Sequence, residues 1–260
     1  MANFIRSVLL DLKKKDVDFS KLQFILPSKR SGIVLQNELS RLNNTTFFAP
    51  NILSIEEFVE ELSNLKALSN IELLFNFYKT YIDYTERDEQ EPFDSFSKWA
   101  QVILQDFNEI DRYLIDPKHI FGYLNEIQKI NTNHWSIEEN QSDFTRRYLN
   151  FWSKLYQYYR EFSNNLISSG FGYQGLIYKE AVENIENYIQ ANESKHHVFV
   201  GFNALNKAES TIIQELLQNE MASIYWDIDI HFMNSKIHNA SQFIQSHKSN
   251  WNYYRSNEFK

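Results

Sequence analysis

Residues 21–42, KLQFILPSKRSGIVLQNELSRL, change their hydrophobic period halfway along. KLQFILP is a short β-prone apolar run stopped by Pro27, whose missing N–H cannot extend a ladder. Beyond it, Ile33, Leu35, Leu39 and Leu42 suit a helix. A strand that hands over directly to a helix is the opening of a parallel α/β sheet, because parallel strands need a crossover between them. Upstream, Ile5, Val8, Leu9 and Leu12 make an amphipathic stripe. Downstream, PNILS reads as a second short strand leading into Ser54 and Glu57, a capping box, with Ile55, Phe58, Val59 and Leu62 as the buried face of the helix.

Strand character returns only at HHVFVGF (196–202) and ASIYWDID (222–229), separated by a helix that Asn206 and Glu209 open. The interval between is helical in pattern. Ser69 and Glu72 form another capping box before Ile71, Leu74, Phe75, Tyr78 and Ile82. Phe96, Trp99, Ala100, Ile103, Leu104 and Phe107 make the next stripe, and TERDEQEPFD between the two predicts an exposed loop. The longest helix runs from about Asp143 to Ser169, with Phe144, Tyr148, Trp152, Leu155, Tyr159, Phe162 and Leu166 as a bundle seam, and stops at Gly170. GFGYQG then turns into a helix carrying Ile177, Ala181, Val182, Ile185 and Ile189. The expected architecture is an α/β domain of residues 1–68 and 192–260, a mostly parallel sheet of at least four strands, with residues 69–191 as an all-helical insertion.

Composition agrees with a globular chain: 43% of residues are apolar and 23% charged. Aromatic residues reach 16%, a load that has to be buried in helix packing. No apolar run is long enough to span a bilayer, and the N-terminus lacks the apolar region of a signal peptide, so a cytoplasmic protein without membrane contact is expected. With no cysteine, disulfides and thiolate metal sites are excluded. The net charge of −8 argues against DNA binding over the whole surface, because phosphate neutralisation needs clustered Lys and Arg; any such contact must be local.

A phosphate cradle needs closely spaced glycines followed by Lys and Ser or Thr, and PSKRSG offers a single glycine. No acidic–spacer–Lys nuclease motif is convincing, and no G-x-S-x-G nucleophile string occurs. Asp227 and Asp229, two apart at a strand end, could share a face and hold a metal, but solvated acids closing a strand are the simpler reading. His196 and His197 are adjacent in a strand and point to opposite faces, while His231, His238 and His247 lack the i,i+4 spacing of a metal pair. No catalytic residue, cofactor or metal site is therefore expected. Two junctions stand out. Lys29 and Arg30 sit where the first strand meets a helix N-terminus, and cations there oppose the helix dipole, which hints at an anion or nucleic-acid contact. Gly201, Phe202 and Asn203 form a second strand-to-turn junction, where Gly201 can equally serve backbone geometry alone.

FILPSKRSGIVLQNEL, APNILSIEEFVEEL, SKWAQVILQDFNEIDRYL, GFGYQGLIYKEAVE and VFVGFNALNKAESTIIQEL, in this order, resemble the N-terminal portion of AddB-like helicase–nuclease proteins, particularly the PD-(D/E)XK nuclease family proteins of Bacteroidetes. The resemblance spans nearly the whole chain. It implies a RecA-like domain of a superfamily I helicase, degraded so that ATP is not hydrolysed, with its helical subdomain inserted. Val200, Gly201 and Phe202 stand where a working motor carries acids, and a helix replaces the ATP-binding loop at the N-terminus. It further implies that the chain is a fragment, with the nuclease centre beyond residue 260. Ser28, Lys29 and Arg30 match the segment that touches single-stranded DNA in active relatives. The implied partners are single-stranded DNA, bound weakly and locally, and a helicase–nuclease partner subunit or the C-terminal domains of the same protein, in DNA repair and recombination. The alternative is an independent protein-interaction module that uses the aromatic insertion without nucleic acid.

Overall fold

The structure, a computed structural model, describes residues 2–15, 17–42, 48–135, 143–234 and 237–259; the side chains of 2, 128–135 and 143–149 lie outside the description, and with them Phe144 and Tyr148 of the expected seam. The elements in chain order are α1 (Ala2–Lys14), β1 (Leu22–Leu26), α2 (Lys29–Leu42), β2 (Asn51–Ser54), α3 (Ile55–Ser63), β3 (Lys66–Ala67) and α4 (Asn70–Tyr84). There follow α5 (Phe93–Arg112), α6 (Pro117–Trp135), α7 (Asp143–Ser168), β4 (Phe171–Gly172), α8 (Gln174–Glu183) and α9 (Ile185–Ala191). Last come β5 (His196–Phe202), α10 (Lys207–Gln218), β6 (Ala222–Trp226), α11 (Ile230–Asn234) and α12 (Gln242–Asn250). The chain is α/β and divides into two compact units, Met1–Ser63 with Glu180–Lys260, and Asn64–Lys179.

The first unit is built on a four-stranded sheet of order β2-β1-β5-β6. All three pairings are parallel, so every strand returns through a helix and each strand's carboxyl end opens on the same edge. Both faces of β1 are covered, which is why all five of its residues are buried. Leu22, Phe24 and Leu26 pack with Val198 and Val200 under Ile5, Val8, Leu9 and Leu12 of α1 and Leu35 and Leu39 of α2. On the opposite face Phe58 of α3 meets Phe199 at 6.1 Å and Tyr188 of α9 at 5.8 Å, each edge-on. A fully buried ring such as Phe58 contributes about 1.5–3 kcal/mol relative to exposure.

The second unit is mainly helical, and its core is made of rings. Phe77, Phe96, Phe107 and Phe162 are fully buried, and Phe77 lies 5.2–5.6 Å from each of the other three. Ser69 and Glu72 close the capping box that starts α4. The segment expected to be an exposed loop is exposed along most of its length and anchored at its start. Thr85 is buried and shares a hydrogen with the Tyr158 hydroxyl at 2.8 Å, while the Gln90 amide donates to the carbonyls of Ile82 and Thr85. The helical interval also holds one strand, β4, which pairs in parallel with β3 through Lys66↔Phe171 and Ala67↔Gly172. Next to it a Cβ on Gly175 would fall 2.1 Å from the Asn108 carbonyl oxygen, so the backbones of α5 and α8 touch where only glycine fits.

The division of the chain differs from the one read in the sequence at both ends. α9 packs on the sheet unit, with Tyr188 against Phe58 and His197 and the Asn184 amide donating to the Leu62 carbonyl at 2.7 Å. Residues 64–68, in turn, join the helical unit through β3. Among the described residues, no helix is long and apolar enough to cross a membrane.

Candidate functional site at the carboxyl edge of the sheet

Parallel strands leave their carboxyl ends and the following helix N-termini on one edge, which is where open α/β folds place ligands. In this chain that edge carries Ser28, Lys29 and Arg30 after β1, the Ser54–Glu57 box after β2, and Asn203 after β5.

Ser28 caps α2. Its hydroxyl oxygen accepts from the Ser31 N–H at 3.3 Å and lies 3.0 Å from the Ser31 hydroxyl, and its carbonyl accepts from Ser31 and Gly32 N–H at 3.1 and 3.4 Å. Ser28 thus satisfies the Ser31 and Gly32 N–H groups of the first turn. Lys29, which taken alone opposes the dipole of α2, reaches across to Glu57 of α3 with Nζ 2.8 Å from Oε1. The other Glu57 oxygen accepts from the Ser54 N–H and hydroxyl, both at 2.9 Å. The Lys29 bond, with help from Ser54, holds the Glu57 carboxyl down at about 2, and the same contact raises the Lys29 ammonium. Arg30 is exposed, as Ser28 and Lys29 are, but unlike Lys29 it has no ion-pair partner among the described residues.

The second junction is shaped by backbone. The β5–β6 register shifts between Val200 and Phe202, and Gly201 in the bulge has φ +77, a region that side chains disfavour. The Asn203 carbonyl accepts from His247 Nε2 at 3.1 Å, while the His247 ring stacks on Trp226 at 5.3 Å. Asn206 and Glu209 form the capping box that begins α10.

β6 ends at Trp226, so Asp227 and Asp229 lie past the strand in irregular chain and share no strand face. Asp229 accepts from the His231 N–H at 2.7 Å, which opens α11. His196 and His197 engage different surroundings: His196 lies 3.2 Å from the Ser223 hydroxyl, and His197 is enclosed between Tyr188, Phe58 and the Met221 carbonyl. That carbonyl can only accept, so Nδ1 of His197 carries the hydrogen and Nε2 accepts from the Tyr188 hydroxyl at 2.8 Å. Burial lowers the His197 imidazole to about 4. Among the described residues, no three His, Asp or Glu side chains gather as a metal-binding group.

Two features of the molecule had no signal in the sequence reading. One is the Lys29–Glu57 bridge, although the Ser54–Glu57 box that presents its acceptor was visible. The other is a buried carboxylate in the helical unit: Asp111 accepts from both Tyr159 and Tyr173 hydroxyls, with Lys179 at 3.7 Å. At the sheet edge, the geometry offers one solvent-facing guanidinium beside a closed ion pair. Among the described residues, the side-chain partner of the Ser28 hydroxyl is another hydroxyl, that of Ser31. No protein-family model matches the chain, and no curated protein matches it.

Proposed function

We propose that this chain is a non-catalytic part of a DNA-end-processing helicase–nuclease of the AddB-like kind, in which an inactivated motor unit guides single-stranded DNA and the chain scaffolds a partner. One observation carries the reading: at the carboxyl end of β1 the cap is filled by Ser28 and the first cation by Glu57, which leaves Arg30 to meet an outside anion. A working phosphate site needs free backbone donors and a free lysine at such a turn. The parallel order of the sheet, with a helical unit between β2 and β5, fits the RecA-like ancestry that the resemblance implies.

The expected DNA contact is weak. With Lys29 held by Glu57, a single phosphate contact through Arg30 gives a slope of log affinity against log salt of about −0.7 on single strands. NMR titration with a single-stranded oligonucleotide at low salt is the test. Shifts centred on residues 28–31 that disappear in Arg30→Ala are expected; an unchanged titration in that variant rejects the DNA-guiding role. In parallel, millimolar ATP with Mg²⁺ leaves the melting temperature unchanged, whereas a ligand at a hundredfold its Kd would add about 2.7 kcal/mol and a readily measured shift.

A further inference from the structure

The helical unit carries an open groove of about 840 Å³. Its floor is the buried pair Thr85 and Tyr158, with Tyr81 beside them. Trp99, Ile103, Phe151 and Trp152 form half-buried walls, and the Trp99 and Phe151 rings meet edge to face at 5.0 Å. Val102 stands at the mouth and is 59% exposed.

Charge decides what such a groove accepts. Four carboxylates line it, Asp88, Glu89, Glu91 and Asp106, against two ammonium groups, Lys98 and Lys154. Both lysines are already neutralised: Lys98 lies 3.1 Å from Asp94, and Lys154 lies 3.7 Å from Glu89. Glu89 is further held by the Asn150 amide at 2.6 Å. Three acids remain for a visitor. Asp88 and Asp106 have no ion-pair partner among the described residues, and Glu91 accepts the Trp99 indole N–H at 3.2 Å. Partial withdrawal from water raises the Asp106 carboxyl, a cost that an arriving cation would relieve. An aromatic wall alone would suit a nucleobase or a guanidinium equally well. A phosphate backbone, however, would meet three like charges, whereas arginine and lysine bring opposite charge and lay an apolar stem on the rings.

We propose that this groove is the docking site for a basic, aliphatic segment of a partner protein, with its Arg or Lys heads at Glu91 and Asp106 and its aliphatic side chains on Val102, Ile103 and Trp152. The assignment deepens the scaffolding half of the function above and rests on it; the DNA half stands on Arg30, in the other unit.

The test titrates three probes into the full chain while the indole signals of Trp99 and Trp152 are followed by NMR. The probes are a short amphipathic arginine–leucine peptide, its glutamate–leucine counterpart and a single-stranded oligonucleotide. The arginine peptide shifts both indoles and saturates, and the glutamate peptide moves neither. Glu91→Gln combined with Asp106→Asn, both at exposed positions, weakens the arginine peptide at least about fivefold and preserves the fold. Unmoved indoles, or equal affinity in the double variant, overturn the proposal. Saturating indole shifts with the oligonucleotide overturn it as well, by making the groove a nucleic-acid site. Oligonucleotide shifts near Arg30 beside a silent groove sink the groove while the DNA reading survives, so the two can fail separately.

Discussion

In the sheet unit one of the deeply buried titratable side chains is His197, held neutral between a tyrosine and a carbonyl; in the helical unit it is Asp111, bound by two tyrosine hydroxyls with a lysine nearby. The difference follows from what fills each core. On one face of the parallel sheet aliphatic side chains such as Val198, Val200, Leu35 and Leu39 dominate, while Phe58, Phe199 and Tyr188 meet on the other. The helix-on-helix core is dominated by rings such as Phe77, Phe96, Tyr158 and Tyr173. Tyrosine brings a hydroxyl wherever it brings a ring, so an aromatic core of this composition needs buried acceptors. Asp111 and Thr85 supply them.

The sharpest way to break this comparison is Asp111→Ala. The change strips two buried hydroxyls of their acceptor and leaves Lys179 without its carboxylate, and removing one partner of such a buried set costs about 3–5 kcal/mol. Hydrogen exchange resolved by residue should show the loss in residues 64–179, with protection of β1 and β5 retained. Equal loss in both units would mean that they do not differ as described.

Acid separates the units next. The folded His197 value of about 4 lies below the unfolded value of 6.5, so the unfolded chain takes up the proton first. Stability from this group is complete above about 6.5 and drains away as pH falls towards 4, by about 3 kcal/mol in all. Urea unfolding across that window, followed on the sheet unit, should show the slope, and His197→Gln should flatten it. Glu57, whose folded value is depressed to about 2, acts in a lower window: its contribution is present above 4.5 and lost as pH falls towards 2.

Gly175→Ala tests the close approach of α5 and α8. Its new Cβ meets the Asn108 carbonyl oxygen, and the forced backbone shift costs about 1–3 kcal/mol in the helical unit, read by thermal unfolding. The smallest effect belongs to the sheet edge. Lys29→Ala with Arg30→Ala changes stability by no more than about 0.5 kcal/mol, because both side chains are exposed and the pair they disturb is solvated.

The elements were legible where the period switches within a few residues, as at Pro27 and at 196–202, because strand and helix patterns are local. The order β2-β1-β5-β6 was not, since it depends on which side each crossover takes. TERDEQEPFD looked like a solvent loop on charge alone, and the partner that draws Thr85 inward, Tyr158, is 73 residues away. Lys29 and Arg30 were readable as cations against a helix dipole. What relieves one of them is a carboxylate on another helix, which no local spacing announces. The shared strand face considered for Asp227 and Asp229 does not form, because β6 stops at Trp226, before both.

The proposed DNA contact runs through Arg30, while Glu57 occupies Lys29. Glu57→Gln removes that carboxylate and keeps an oxygen for the Ser54 cap, so it tests the proposal most directly. The measurement is the salt dependence of single-stranded DNA binding in the two proteins. The slope of log affinity against log salt should steepen from about −0.7 to about −1.4 as Lys29 becomes a second phosphate contact, and affinity should rise. An unchanged slope and affinity in Glu57→Gln would contradict the account.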